Sequence, residues 1–194
     1  WDKSTIIYQT SQWEVLSFFG KEQSMPTWSG TRKKLETDYL CPALRGRVRY
    51  FATTYRESHD REGRAAILVD GEEILKSNYF EYDGTLWGLY YRLGDGITGK
   101  GYQMLRQLVL NRGLFDQQVF YNAFQEFDNQ SIEASLTSEN PIVRIFALLD
   151  RRLGKRRLTA LEDTMEQELD WVRPFYLLRI EAEGLNLQKE KEVC

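Results

Sequence analysis

The clearest hydrophobic pattern in the chain runs from Pro141 to Leu153. Its apolar positions recur at helical spacing: Ile142, Ile145, Phe146, Leu149 and Leu153. Ser138 or Asn140 can cap the first free amides, and a proline suits the first helical turn, where an amide hydrogen is not needed. Gly154 stands where a left-handed residue commonly ends a helix. The pattern predicts a helix over residues 141–153 that docks one face on a core and shows arginines on the other.

A β-sheet is predicted before this helix. Residues 47–56 are rich in β-branched and aromatic side chains, and residues 65–69 form a short apolar run. Asp70-Gly71 is a strong signal for a two-residue hairpin turn that leads into residues 72–76. We therefore predict a three-stranded antiparallel meander, with residues 57–63 as a charged loop between the first two strands.

Helices account for most of the remaining chain. The further predictions are a short amphipathic helix over residues 27–39, a mobile glycine-rich loop over 94–101, helices near 102–112 and after Asp116, a capping box at Thr159–Glu162 for the next helix, and a last helix from Pro174 to Gly184. The fold class is α+β: a short N-terminal helix, a three-stranded antiparallel meander and a helical C-terminal half packed on one face of the sheet.

The expected domain organisation is one α+β domain over residues 25–185 with a short segment on each side. Met25-Pro26 resembles a natural start, so we expect residues 1–24 to be an N-terminal extension that does not belong to the native domain, and residues 186–194 to be a C-terminal tail. A hydrophobic content of 42% is typical of a folded globular protein.

Cysteine and histidine usage narrows the chemistry. Two cysteines and one histidine cannot build a disulfide framework, and they argue against a protein-only zinc site. No apolar run approaches the roughly 18–20 residues that span a bilayer, and no secretory signal is evident. We expect a cytoplasmic protein without a bound cofactor or a membrane partner.

Positive charge is concentrated in two segments although the net charge is −3. Residues 144–157 carry six cations against the single acid Asp150, and two further arginines alternate on the first predicted strand. These candidate contact residues are Arg144, Arg151, Arg152, Lys155, Arg156, Arg157, Arg47 and Arg49. Arginine suits bidentate pairing with carboxylates. The leading hypothesis is a non-enzymatic module that binds an acidic protein, of immunity type or associated with defence. The same charges could instead pair with the acidic C-terminal segment of the chain itself.

Two other functions stay open at this point. An RNA- or DNA-binding protein would need both basic segments to form one continuous surface; a helix, three strands and further helices is also the element order of a double-stranded-RNA-binding domain. A metal-dependent hydrolase would use His59, Asp60, Asp70 and Glu72. The last two residues are explained as well by a hairpin turn and polar strand positions. The loop over 94–101 does not have phosphate-loop spacing.

A set of short motifs resembles a known family. They are Leu44-Arg-Gly-Arg47, Thr54-Tyr-Arg56, His59-Asp60, Gly63-Arg64, Val69-Asp-Gly71, Ser138-Glu-Asn-Pro-Ile-Val143 and Leu149-Asp-Arg-Arg-Leu-Gly-Lys-Arg-Arg-Leu158. Together they resemble an uncharacterised bacterial family of short hypothetical proteins, over about residues 25–185. The resemblance implies a bacterial cytosolic protein and assigns no catalytic residue.

Overall fold

The computed structural model of the protein describes residues 27–54, 63–93 and 99–186. The N-terminal helix begins at a side-chain cap. Thr27 accepts a hydrogen bond from the Gly30 amide and caps helix α1 (Trp28–Lys33), which continues as a π-helical segment (Lys34–Tyr39). The Trp28 ring packs against Phe120 with ring centroids 6.5 Å apart. The helix predicted over residues 27–39 is confirmed.

The sheet is an antiparallel meander with strand order β1-β2-β3. Its strands are β1 (Val48–Thr54), β2 (Gly63–Val69) and β3 (Glu72–Lys76). Asp70 and Gly71 both have positive φ angles, 51° and 92°, which is the backbone that a tight two-residue hairpin requires. Alternate residues of β1 are buried from Val48 onward, so one face of the sheet meets the core.

Helices make up most of the chain after β3. They are α2 (Tyr79–Leu93), α3 (Gly99–Asn111), α4 (Gln117–Asp128), α5 (Ile132–Leu136), α6 (Pro141–Leu149), α7 (Lys155–Thr159), α8 (Glu162–Glu166) and α9 (Arg173–Ala182). Asp116, Ser131 and Asn140 each cap a helix by accepting a hydrogen bond from a backbone amide of its first turn. The α+β class and its order of elements are confirmed.

Helix α6 is the centre of the core. Every residue from Pro141 to Leu149 is buried except Arg144, which is partly exposed. Phe146 contacts the rings of Tyr50, Phe120 and Phe127, with ring centroids 5.4–5.8 Å apart. The prediction that this helix docks by one face and shows the other to solvent is therefore wrong. Helices α4, α5 and α9 surround it.

The same helix ends four residues earlier than its sequence pattern predicts. Asp150 is extended (φ −75°, ψ 137°) and forms an isolated β-bridge with Leu40. The Cys41 amide donates to the Leu149 carbonyl at 2.9 Å, and the Arg151 amide donates to the Tyr39 carbonyl at 2.7 Å. The chain after α1 thus replaces the next helical turn. Gly154 has φ −73° and precedes α7, so it is not a left-handed terminator.

Two other local predictions are corrected. Thr159 does not cap the following helix: it is the last residue of α7, and its hydroxyl donates to the Arg156 carbonyl at 3.0 Å. Residues 99–101 start α3 and do not belong to a loop, while residues 94–98 of the predicted loop lie outside the described residues. The last helix is confirmed, with Gly184 at φ 63° behind it. No helix in the described ranges combines the length and apolarity needed to cross a membrane.

Candidate functional site

Arg144 is fully engaged inside its own molecule. Its Nε and Nη2 donate to the two carboxylate oxygens of Glu168 at 2.7 and 2.8 Å, and its Nη1 donates to the Ser138 carbonyl at 2.6 Å. The two side chains are 15% and 8% exposed. This ion pair joins α6 to the segment after α8. The Arg144 guanidinium therefore has few N–H groups left to donate to an external anion.

Arg152 is held from two directions. It donates to the fully buried Asp150 carboxylate, with Nη2 2.6 Å from Oδ2, and its guanidinium lies over the Tyr39 and Phe127 rings at 4.8 and 5.3 Å. This cation–π contact places the charge on a packed surface. Its position follows from the early end of α6, which turns the chain back beside the π-helical segment.

Two more cations of the basic segment are paired. Arg157 forms an ion pair with Glu133 of α5, and Lys155 lies 3.1 Å from a carboxylate oxygen of Glu183 after α9. The prediction that these residues face outward without an internal partner is therefore wrong for Arg144, Arg152, Lys155 and Arg157. Arg151 and Arg156 are exposed, and they form no side-chain ion pair or hydrogen bond with another described residue.

The strand arginines differ from each other. Arg47 donates to Asp70, with Nη2 2.9 Å from Oδ2, and to Glu181 at 3.2 Å. This hydrogen bonding holds the pKa of the Asp70 carboxyl below its usual value. Arg49 is exposed, without such a contact to the described part of the chain. Of the two arginines predicted on the first strand, Arg47 precedes β1 and is paired, whereas Arg49 lies on β1 without an ion pair in the described ranges.

Lys34 at the end of α1 lies close to the basic segment of residues 144–157, whereas no ion pair or hydrogen bond joins that segment to Arg47 or Arg49 in the described structure. Lys34 donates to Asp128 at 2.7 Å, the Tyr39 hydroxyl donates to the same carboxylate at 2.6 Å, and Arg152 stacks on that tyrosine. Burial, followed by the hydrogen bond to Asp128, raises the pKa of Tyr39 to about 12. Acidic side chains stand between the cations, so proximity does not produce an uninterrupted positive surface.

The described structure contains two of the four residues of the hydrolase alternative, Asp70 and Glu72. Asp70 is bound by Arg47, and Glu72 is exposed at the start of β3. His59 and Asp60 lie outside the described residues. Among residues 27–54, 63–93 and 99–186, no three histidine, cysteine or acidic side chains are grouped so that they could hold a metal ion. The prediction of a metal-dependent hydrolase stays untested.

Cys41 is a buried thiol in a hydrogen-bonded cluster. Its Sγ donates to Glu183 Oε1 at 2.9 Å, and the same oxygen accepts from Arg179 Nε at 3.1 Å. Burial raises the pKa of the Cys41 thiol above its usual value. A buried, protonated thiol is a poor nucleophile, which fits a structural role.

An apolar groove runs between the edge strand β3 and helix α9. It encloses about 620 Å3 and is lined by Val69, Ile74, Pro174, Phe175, Leu177, Leu178, Ile180, Glu181 and Leu185. Glu181 is the charged member of this lining, and Arg47 already contacts it. Small-molecule sites add several convergent polar groups to an apolar lining, and this groove has few of them.

Helix α2 is apolar on two opposite sides. Tyr82 and Leu86 are buried in the core. On the solvent side, Phe80 and Tyr91 are 76% and 61% exposed. They lie about three turns apart, on the same stripe of the helix. We name this stripe the outer face of α2; its members are Phe80, Gly84, Trp87, Gly88 and Tyr91. A helix with apolar residues all round is usually covered on both sides.

The aromatic rings of this region are held in place. Trp87 meets Tyr90 edge-on with centroids 5.4 Å apart and approaches Tyr102 of α3 at 6.4 Å. Its indole N–H donates to Asp83 at 2.9 Å. The next helix adds Met104, which is 73% exposed, and the exposed Leu108. The rings are therefore ordered before any partner arrives, which lowers the entropy cost of binding.

No crowding by the described residues explains the two glycines of the outer face. A Cβ atom added at Gly84 or Gly88 would meet no other atom within 4 Å. Glycine in a helix interior costs about 1 kcal/mol relative to alanine. Crowding by the chain's own residues does not require it here. A missing side chain does, however, allow another backbone to approach closely.

The exposed apolar side chains of the described structure are concentrated on two neighbouring helices. Of the eight large ones, five lie on α2 and α3: Phe80, Tyr91, Leu93, Met104 and Leu108. Leu93 is three turns from the buried Tyr82 and lies on the core side of α2; at about 100 Å2 each, the other four present about 400 Å2. The largest apolar patch on a typical monomer is about 300–600 Å2 and often marks an interaction site. The sequence analysis missed these residues, although two glycines four apart in an aromatic helix were a usable signal.

Comparison with known proteins adds a family. The model of the SF0329 protein family matches residues 27–180, from the cap of α1 into α9. The chain belongs to the SF0329 protein family. Searches of curated proteins and of solved structures returned no match. The resemblance to an uncharacterised family is thereby confirmed, whereas bacterial origin and the domain limits stay predictions. SF0329 membership indicates no function, so the site has to be argued from its own geometry.

Proposed function

We propose that this SF0329 protein is a non-enzymatic protein-binding module, and that it binds through the outer face of α2 with the neighbouring Met104 and Leu108. The observation that carries the proposal is the pair of apolar sides on α2, of which the fold covers one. Covering about 400 Å2 of apolar surface supplies a driving force that the paired arginines cannot.

The nature of the partner changes relative to the sequence analysis. An acidic partner would have to compete with Glu168, Asp150, Glu133 and Glu183 for the basic segment. Separating Arg144 or Arg152 from its partner would leave a buried carboxylate without a counter-charge, and exchanging partners at the exposed Arg157 gains only about 0–1 kcal/mol. The proposed partner therefore presents an apolar, helical or sheet-like surface in the cytoplasm. An immunity-type or defence-associated role is compatible with such a surface, but no contact in the described structure points to that role specifically.

Site-specific photocrosslinking in living cells tests the proposal. The full chain would carry p-benzoylphenylalanine in place of Phe80, Tyr91 or Met104. We expect each position to give a discrete crosslinked product, because a bound partner must cover these exposed side chains. The matched control is the same replacement at Leu177, an exposed apolar residue at the groove beside α9. Crosslinking at Leu177 but at none of the three test positions would overturn the proposal.

Nucleic-acid binding is the second candidate, and one observation favours it. The β-bridge between Leu40 and Asp150 brings the end of α1, with Lys34, beside the basic segment of residues 144–157, and so adds a cation there. The arginines left without an internal partner there are Arg151 and Arg156, within the described residues. Two neutralised phosphates correspond to a salt-dependence slope of about −2, far below that of a typical DNA-binding protein. We therefore place this function after protein binding.

A further inference from the structure

We propose that the partner at the outer face of α2 is a second copy of this chain, with the two α2 helices packed antiparallel across a two-fold axis. This inference rests on the proposed function, because it names the occupant of the same surface. A two-fold interface uses one patch twice, so the patch has to be complementary to itself. The outer face of α2 meets that requirement in charge, in shape and in area.

The charges on α2 are arranged symmetrically about its middle. Glu81 and Arg92 are both exposed, and eleven residues separate them, which is about three turns and places them on one side of the helix. Each lies about 8 Å along the axis from the midpoint near residue 86. An antiparallel copy therefore sets Glu81 of one chain opposite Arg92 of the other, and the pairing occurs twice.

Neither charge forms an ion pair with another residue of the described ranges. Glu81 accepts a hydrogen bond from Asn78 at 3.1 Å through Oε2, and it remains exposed. Arg92 forms no ion pair or hydrogen bond with any other residue in the described ranges. A strongly acidic or strongly basic partner would satisfy one of these residues and oppose the other. A second copy satisfies both.

The shape of the stripe also fits its own copy. Gly84 and Gly88 lie on either side of the midpoint, with open space where a side chain would begin. Two helices that cross there can approach more closely than the usual 8–10 Å between helix axes. The Trp87 ring between the two glycines leans away toward Asp83 and Tyr102, which leaves the glycine side of the stripe open. Phe80 of one chain then reaches the region of Tyr91 of the other.

The area is sufficient for reversible pairing. Phe80, Tyr91, Met104 and Leu108 together present about 400 Å2, compared with about 800 Å2 per partner in a standard interface. The polar surroundings of the stripe would supply the remainder. We expect a dimer with a dissociation constant in the micromolar range, since area of this size does not by itself secure tight binding.

Sedimentation velocity of the purified full chain tests the inference, from about 1 to about 200 μM, a range that brackets micromolar dissociation. We expect a monomer–dimer equilibrium. Phe80→Glu should weaken it by about thirtyfold, as loss of an interface anchor does. Gly84→Gln should also weaken it while leaving the fold intact, because glutamine is a better helix former than glycine. Leu177→Glu is the matched control and should leave dimerisation unchanged.

A charge exchange isolates the antiparallel arrangement. Glu81→Arg or Arg92→Glu alone sets like charges opposite each other and should weaken the dimer several-fold. The double exchange restores opposite charges and should recover the original dissociation constant. Singles that weaken without recovery in the double variant would overturn the antiparallel pairing. A chain that stays monomeric up to the highest concentration would overturn the second copy as occupant.

The crosslinking experiment separates this inference from the proposed function. Crosslinks at Phe80 with a mass of two chains support both. Crosslinks at Phe80 to a different protein, together with a monomeric purified chain, keep the protein-binding function and overturn the homodimer. Absence of crosslinks at all three test positions overturns the function itself.

Discussion

Arg144 shows how the fold uses a cation that the sequence alone offers to a partner. Replacing it with alanine leaves the Glu168 carboxylate, 8% exposed, without its counter-charge. Breaking a buried ion pair from one side costs about 3 kcal/mol, because the remaining charge stays desolvated. We expect Arg144→Ala to lower the free energy of unfolding by about that amount in urea denaturation.

The control for this measurement is Arg156→Ala, since Arg156 is exposed on α7. A surface substitution of this kind should change the free energy of unfolding by less than about 0.5 kcal/mol. Equal effects at the two positions would mean that the contact with Glu168 contributes nothing to stability.

Asp128 links stability to pH. Burial alone would raise the pKa of its carboxyl, but hydrogen bonds from Lys34 and Tyr39 outweigh burial and lower the pKa below the ordinary value of 3.8. A carboxyl with a lowered pKa in the folded state stabilises the fold above its unfolded pKa, and this contribution disappears as pH falls through the folded pKa. The stabilisation is thus present at neutral pH and is lost below about pH 4.

The test compares the wild type with Asp128→Asn in urea denaturation at several pH values. We expect the difference in unfolding free energy to be largest near neutral pH and to shrink as the solution is acidified below about pH 4. Asp38→Asn, at an exposed position of the π-helical segment, is the control. A difference for Asp128 that grows on acidification would contradict the assigned hydrogen bonds.

The Cys41 thiol gives a third prediction at this scale. It is completely buried, and burial raises its pKa. In a Cys194→Ser background, we expect a thiol reagent to modify Cys41 at least about a hundredfold more slowly in buffer than in denaturant, because reaction needs local opening of the fold. Rapid modification of the folded chain would show that the cluster with Glu183 opens readily.

At the scale of elements, two glycines should respond in opposite ways to alanine. A Cβ at Gly63 would overlap the Gln117 side chain and the Thr53 carbonyl, so Gly63→Ala should destabilise the protein by about 3 kcal/mol. Gly84 has open space around it, and Gly84→Ala should stabilise the protein by about 1 kcal/mol. Thermal denaturation of dilute, monomeric protein checks both. A loss of stability in Gly84→Ala would show that α2 is constrained there within the monomer.

Elements were predictable where a local signal decided them. Asp70-Gly71 sets the hairpin by backbone preference alone, so β2 and β3 were found. The end of α6 was not predicted, because its sequence pattern continues to Leu153. In the structure a distant segment, residues 39–41, takes the hydrogen bonds that the next helical turn would use. Non-local competition of this kind has no signature in a helical period.

The candidate site was less predictable than the fold for a related reason. The partners of the basic segment, such as Glu133 and Glu168, are 24 residues from Arg157 and Arg144. Charge counts along the chain show an excess of cations there, but pairing depends on how α5 and α8 pack. The outer face of α2 was missed because aromatic residues occur on all sides of the helix, so no single face stood out.

For the molecule as a whole, the charge arrangement predicts weak contact with nucleic acid. The net charge is −3, and the arginines of the basic segment that pair internally each leave one fewer cation for a phosphate. We expect no measurable affinity of the full chain for duplex or single-stranded RNA or DNA at about 150 mM salt in a fluorescence anisotropy titration. At low salt, any affinity should fall as salt is added, with a slope near −2, since counterion release scales with the number of phosphates neutralised.

Arg151→Ala with Arg156→Ala should remove this residual binding, whereas Arg144→Lys should not. A slope steeper than about −4 would mean that more cations than Arg151 and Arg156 reach phosphates, Arg49 among them. It would make the basic surface the principal site in place of the outer face of α2.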